Sequence, residues 1–147
     1  MKQYKHDTAA TKYVEAGGIR FAHRRFGNPE RTPIVFSQHF MGNLDDYDPA
    51  VSDGFTSDRE VILFNNTGVA STSGVVTETI EQMAADAVID ALGLGTLDLV
   101  GHSMGGLVAQ EVTLQRPDLV RRLVLVGTGP RGGEHIGDMP AETLALC

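Results

Sequence analysis

Leu97–Leu107, LDLVGHSMGGL, is the stretch that decides how this chain is read. An apolar run from Leu97 to Val100 meets Gly101-His102-Ser103-Met104-Gly105, and a helical pattern starts at once with Gly106-Leu107-Val108-Ala109. A strand, a sharp turn and a helix around G-x-S-x-G make a nucleophile elbow, whose turn holds the serine in a strained backbone conformation. Gly101 and Gly105 flank it because neighbouring backbone must pass close by. Ser103 then projects Oγ above the carboxyl edge of a sheet. The free N–H groups of the next helix lie where an oxyanion would develop. The bland alternative, a glycine-rich turn with a capping serine, is disfavoured by the strand and helix on either side. Ser103 is the candidate nucleophile.

Working outward, Thr77–Leu92 carries Ile80, Met83, Ala84, Ala87, Val88 and Ala91 at three- and four-residue spacing, which predicts an amphipathic helix starting at Thr77. Gly93 and Gly95 stop it. EVILF (Glu60–Phe64) and PIVFS (Pro33–Ser37) are short continuous apolar runs, the pattern of strands buried on both faces. Leu44–Asp58 is acidic and interrupted by Pro49 and Gly54, so any helix there is short. Lys12–Ala16 and Ile19–Phe26, separated by Gly17-Gly18, predict a hairpin. Downstream, the elbow helix runs from Gly105 to Arg116 and stops before Pro117, and Val120–Val126 is a sixth strand. This order predicts an α/β protein with a mostly parallel sheet of about six strands flanked by helices. Ligands of such sheets sit outside the carboxyl ends of the strands. Residues 1–135 form the core domain of this reading. Residues 136–147 are a tail or the start of a cap, with room for one or two helical turns at Met139–Leu146.

A chain of 147 residues is one domain, and 41% hydrophobic with 21% charged residues is ordinary for a soluble globular protein. Twelve basic against 19 acidic residues, a net charge of −7, argue against nucleic acid or an anionic membrane as partner. The N-terminus lacks the apolar core of a signal peptide and no long apolar run is present, so a cytoplasmic location is expected. The single cysteine, Cys147, excludes a disulfide framework and reads as a free exposed thiol. There is no H-E-x-x-H spacing, so neither a metal nor another cofactor is expected. Gly68–Gly74 lacks G-K-[ST] and does not read as a phosphate loop. His6 and His23 read as surface groups.

With these pieces placed, the chain resembles the N-terminal part of an α/β-hydrolase fold protein over nearly its whole length. The likeness rests on QHFMG (Gln38–Gly42), FNNTGVASTSG (Phe64–Gly74), LVGHSMGG (Leu99–Gly106) and VRRLVLVGTGPRGGE (Val120–Glu134), in the family's order. It is greatest to the bacterial esterase, lactonase and haloperoxidase-like branch. Serine at position 103, where the family's dehalogenases carry aspartate, points to ester chemistry. The resemblance implies Ser103 as nucleophile and the backbone N–H groups of Met104 and Phe40 as oxyanion donors. Phe40 follows His39 where the family usually carries an HG motif, and His39 reads as a loop-holding residue. Asn65-Asn66 and Ala70 depart from the family's pattern, a change expected to loosen that turn.

The larger departure is length. The family places its triad acid and histidine after a seventh and an eighth strand, and the order should be Ser, acid, His. After Ser103 the available groups are Glu111, Asp118, Glu134, His135 and Asp138. A serine without a base is a weak nucleophile. His135, in the loop after the sixth strand, is the candidate substitute base, beside the plainer reading of an exposed loop histidine. His102 adjoins Ser103, but neighbouring residues at a strand end point to opposite sides, so its ring is expected to face away. The sixth strand is left as a bare apolar edge, and such edges pair. A homodimer through it is expected, with His135 or His39 supplied across the interface. Two readings follow: a hydrolase of small carboxylic esters, or a catalytically silent hydrolase-like module that binds or assembles.

Overall fold

A computed structural model describes residues 5–85 and 88–131. Among these residues six strands form one sheet in the order β1-β2-β4-β3-β5-β6. β1 (Lys12–Ala16) and β2 (Ile19–Gly27) are the expected hairpin, joined through Gly17 and Gly18, both at positive φ. β2 also pairs antiparallel with β4 (Glu60–Phe64). From there β4, β3 (Ile34–Ser37), β5 (Leu97–His102) and β6 (Val120–Val126) run parallel. The strands read from apolar runs are the strands observed, because residues buried on both faces leave no alternative period.

The two faces of the sheet carry separate cores. On one face, Val35, Ile62, Leu97 and Leu99 pack with Val108, Ala109 and Val112 of α4 (Met104–Gln115). The partly buried Ile80, Met83 and Ala84 of α2 (Ile80–Ala85), with Ile89 of α3 (Val88–Ala91), pack against this cluster. On the other face, Ala22, Phe26, Phe36, Leu63 and Val100 form the second cluster, with Tyr47 against it. Here α1 (Pro49–Asp53) is short, as its interrupted sequence requires. Pro49 opens this helix rather than breaking it: Asp48 caps the end through Ala50 N–H, 2.8 Å away, where proline has no donor to lose.

Three further expectations are corrected. The helix predicted from Thr77 begins at Ile80, because Thr79 is the capping residue, its Oγ1 accepting from Gln82 N–H at 3.2 Å. His6 and His23 are buried, at 2% and 5% exposure, rather than on the surface. His6 Nδ1 lies 2.8 Å from Ser52 Oγ and docks the N-terminal segment on α1, whereas His23 sits inside β2 between two strands. The turn containing Asn65 and Ala70 is held, not loose. Asn65 Oδ1 accepts from Leu44 N–H at 2.7 Å, and Thr72 Oγ1 both accepts from Ala22 N–H and donates to Asn65 O. Ala70 takes the left-handed conformation, φ 47°, that L side chains rarely adopt.

Candidate active site

Among the described residues, the candidate site residues collect at the carboxyl ends of β3 and β5. Ser103 stands between β5 and α4 with φ 53° and ψ −122°, a conformation that L side chains rarely adopt. Its N–H donates to Val126 O at 3.0 Å and its carbonyl accepts from Gly106 N–H at 2.9 Å, so strand and helix clamp the turn from both sides. As the N-cap of α4 it makes no side-chain capping bond, which leaves Oγ uncommitted among the described residues on a half-buried residue. The glycines are required by packing. A Cβ on Gly105 would run into the carbonyl oxygens of Ser37 and Gln38. One on Gly101 would lie 2.5 Å from Gly105 O. β3 and α4 therefore approach backbone to backbone directly beneath the serine.

Met104 is the first residue of α4, so its N–H has no intrahelical acceptor. Phe40 lies in the loop after β3, whose backbone crosses close to Gly105. Among the described residues, neither N–H donates to a protein acceptor. The loop carrying Phe40 is braced. Tyr47 Oη donates to Ser37 O at 3.0 Å, Gln38 Nε2 donates to Asn43 O at 2.8 Å, and Asn43 N–H donates to Asp46 at 2.6 Å. Burial raises the Tyr47 hydroxyl above the usual phenol range, so it stays a donor. His39 Nδ1 lies 2.9 Å from Phe40 O, and its Nε2 fills the space a Cβ on Gly42 would need. Phe40 itself is 64% exposed, with Met41 beside it at 76%.

His102 and His39 are brought together, their rings 5.6 Å apart and edge-on. They share a groove of about 300 Å³ with Phe36, Tyr47, Val100 and Val126, on the face that carries α1. Ser103 is not among its walls. Gln38 is: it is 2% exposed, and with Nε2 held by Asn43 its Oε1 has no partner among the described residues. The candidate base His135 lies outside the described residues.

Sequence reasoning missed the tie between α4 and the loop after β6. Gln110 Nε2 donates to Gly129 O at 2.9 Å, Arg131 N–H donates back to Gln110 Oε1 at 3.0 Å, and Arg131 Nε donates to Glu111. Hydrogen bonds from Gln115 and Arg131 hold the Glu111 carboxyl below the usual carboxylate range. This carboxylate is committed to holding the loop. Nothing in the one-dimensional pattern marks it, since glutamate on a helix ordinarily reads as a solvated face.

The sequence profile of the alpha/beta hydrolase fold matches residues 32–145. A putative carbamate hydrolase, RutD, of Rhizobium rhizogenes is 28% identical over 113 residues, covering 74% of this chain and 43% of its own length. An alpha/beta hydrolase fold protein from Chitinophaga pinensis superposes with a TM-score of 0.84 at 39% identity, over 86% of this chain and 47% of that one. Est816, described as an N-acyl homoserine lactone degrading enzyme, follows with a TM-score of 0.74 at 28% identity, over 92% and 51%. The chain thus spans about half the length of these relatives.

Proposed function

The chain belongs to the α/β hydrolase fold family, and from that premise we propose that it carries the nucleophile half of a serine hydrolase acting on small carboxylic esters. Ser103 Oγ attacks the ester carbonyl carbon. Its proton passes to a base, and the N–H groups of Met104 and Phe40 hold the oxyanion. Collapse expels the alcohol, which takes up the proton, and water then releases the acid from the acyl-enzyme. His135 is the base this reading names. The observation that carries the proposal is the backbone of Ser103, which a capping serine would not need: φ 53° with Oγ uncommitted. Strain of this kind persists where surrounding structure enforces it, and here Gly101 and Gly105 do so.

Turnover of short p-nitrophenyl esters by the wild type and Ser103→Ala tests it, alongside labelling by a fluorophosphonate. The expected outcome is labelling and turnover in the wild type, neither in Ser103→Ala, and turnover reduced about 100-fold or more in His135→Ala. Equal ester rates in wild type and Ser103→Ala would end the enzyme reading. Labelling without turnover would favour the second reading, a hydrolase-like module that binds.

A further inference from the structure

We propose that Tyr47 is a positioning residue for the oxyanion: its hydroxyl fixes the peptide from which the loop carrying the Phe40 N–H leaves β3. Resting on the ester-hydrolase reading, this assignment adds to it a residue that touches no reacting atom. Tyr47 Oη donates to Ser37 O at 3.0 Å. Ser37 ends β3, one position beyond Phe36, the last residue of that strand paired with β4. Its carbonyl oxygen and that of Gln38 are the atoms a Cβ on Gly105 would strike, at 2.2 and 2.4 Å. The acceptor that Tyr47 holds therefore lies against the first turn of α4, whose Met104 N–H is the other donor of the proposed oxyanion site. One hydroxyl sits at the junction of the two segments that supply the donors.

The loop does not keep its course unaided. Met41, next to Phe40, stands at φ 58°, a conformation that L side chains rarely adopt and that persists where the surroundings enforce it. Gly42 N–H donates to His39 O at 3.0 Å and closes the turn, and His39 Nδ1 lies 2.9 Å from Phe40 O. These bonds are internal, so they shape the turn without aiming it. Anchors beyond the turn aim it. Leu44 N–H donates to Asn65 Oδ1 at 2.7 Å, which fixes the far side of the loop on the turn after β4. Tyr47 supplies the anchor at the strand end, beside Gly105.

Tyr47 is itself held. Its ring stands edge-on to the buried Phe36 with centroids 4.9 Å apart, and the next residue, Asp48, caps α1. Burial keeps its hydroxyl protonated, so the bond to Ser37 O is donated across the neutral pH range. Phenylalanine would keep the ring contacts and lose the donor. Losing one oxyanion donor outright costs about 100- to 1000-fold in kcat, because a donor works only when aimed at the oxyanion. Releasing the loop that aims it should cost part of that, about 10-fold. The bond to the oxyanion exists in the transition state and not in the ground state, so the loss falls on kcat and not on KM.

Steady-state turnover of p-nitrophenyl esters by Tyr47→Phe is expected to show kcat reduced about 10-fold with KM nearly unchanged. A trifluoromethyl ketone, which forms a tetrahedral oxyanion on serine, should bind Tyr47→Phe about 10-fold more weakly. Val61→Ala, in the same core cluster as Phe36 but on β4, should lower Tm and leave kcat and inhibitor affinity unchanged, which separates positioning from stability. Amide hydrogen exchange reads the tie without turnover. In Tyr47→Phe the Gly42 and Asn43 N–H groups should exchange about 5-fold faster or more, with those of Ile62 and Leu63 unchanged. Wild-type kcat and inhibitor affinity in Tyr47→Phe, a loss confined to KM, an equal loss in Val61→Ala, or unaltered exchange at Gly42 would overturn the proposal. A wild type that turns over no ester would end the ester-hydrolase reading by itself, and the exchange comparison then decides whether Tyr47 holds the loop.

Discussion

The two ends of β5 make opposite use of polar groups. At its amino end Asp98, 4% exposed, accepts from Arg59 Nη1 at 2.6 Å and from Arg121 in a bidentate pair at 2.9 and 2.7 Å. A bulge between Leu97 and Asp98 makes the second pair possible: Leu97 faces Val120 and Asp98 faces Arg122, so Arg121 is the extra residue, turned onto the carboxylate. At the carboxyl end, five residues on, Ser103 Oγ makes no capping bond, and among the described residues Gln38 Oε1 and Ser37 Oγ are buried without partners. The Asp98 carboxylate is fully engaged, whereas Gln38 Oε1 and Ser37 Oγ lack partners among the described residues, as do Arg59 Nε and His23 Nδ1 elsewhere. The same strand is a fastener at one end and a tool at the other.

Substitution of Asp98 should show the largest effect. Asp98→Ala leaves Arg59 and Arg121 facing each other in a largely buried position and is expected to cost about 3 kcal/mol, the lower end for removing one member of a buried pair because Arg121 is 40% exposed. Thermal denaturation should show a fall of about 10 °C in Tm. Fluorophosphonate labelling of the folded protein should be unchanged. A loss of labelling in protein that is still folded would mean that the two ends are coupled.

That division of labour was only half legible in the sequence. The carboxyl end announces itself because G-x-S-x-G combines residue types with a backbone demand that few other sequences meet. Strand positions were equally plain, since runs such as EVILF and PIVFS suit a sheet covered on both faces. The amino end was silent: Asp98, Arg59 and Arg121 are far apart in sequence, and only strand order and a one-residue bulge bring them together. His39 and His102 were each legible as neighbours of the site, but their meeting was not, for the same reason, and neither was Arg131 on Glu111. Residues whose role depends on local chemistry could be read. Those whose role depends on register could not.

His23 tests whether an unpartnered buried group must be functional. It is 5% exposed with Nδ1 unsatisfied, and it stands on β2, three strands from β5. Burial, and then the neighbouring Arg25, lower its pKa below the ordinary histidine value. The unfolded chain therefore binds the proton more readily, and stability falls as pH drops through about 6.5 toward the folded value. Asp98 acts in a separate window: its pKa is lowered by hydrogen bonds from Arg121 and by Arg59, so its contribution holds until the pH falls below about 4. Urea denaturation at pH 7.5 and 5.5 should show a loss on acidification that His23→Leu reduces. Ester turnover at pH 7.5 should not change with that substitution. If His23→Leu leaves the acid loss intact, the proton is taken up elsewhere.

The smallest effect has the opposite sign, which makes it the sharper test of the comparison. Ser103→Gly removes the Cβ that makes φ 53° unfavourable and deletes a hydroxyl that makes no capping bond to its helix. Relief of about 1–3 kcal/mol of backbone strain, less about 0.5–1 kcal/mol for the greater freedom of glycine in the unfolded chain, leaves a net gain of about 1 kcal/mol. Tm should rise by a few degrees while labelling disappears. Ser103→Ala keeps the Cβ and the strain, so it should lose labelling with little change in Tm. A residue retained for packing would show the reverse, because removing it would cost stability. If Ser103→Gly proves less stable than Ser103→Ala, the elbow is not strained and the serine is there to hold the turn.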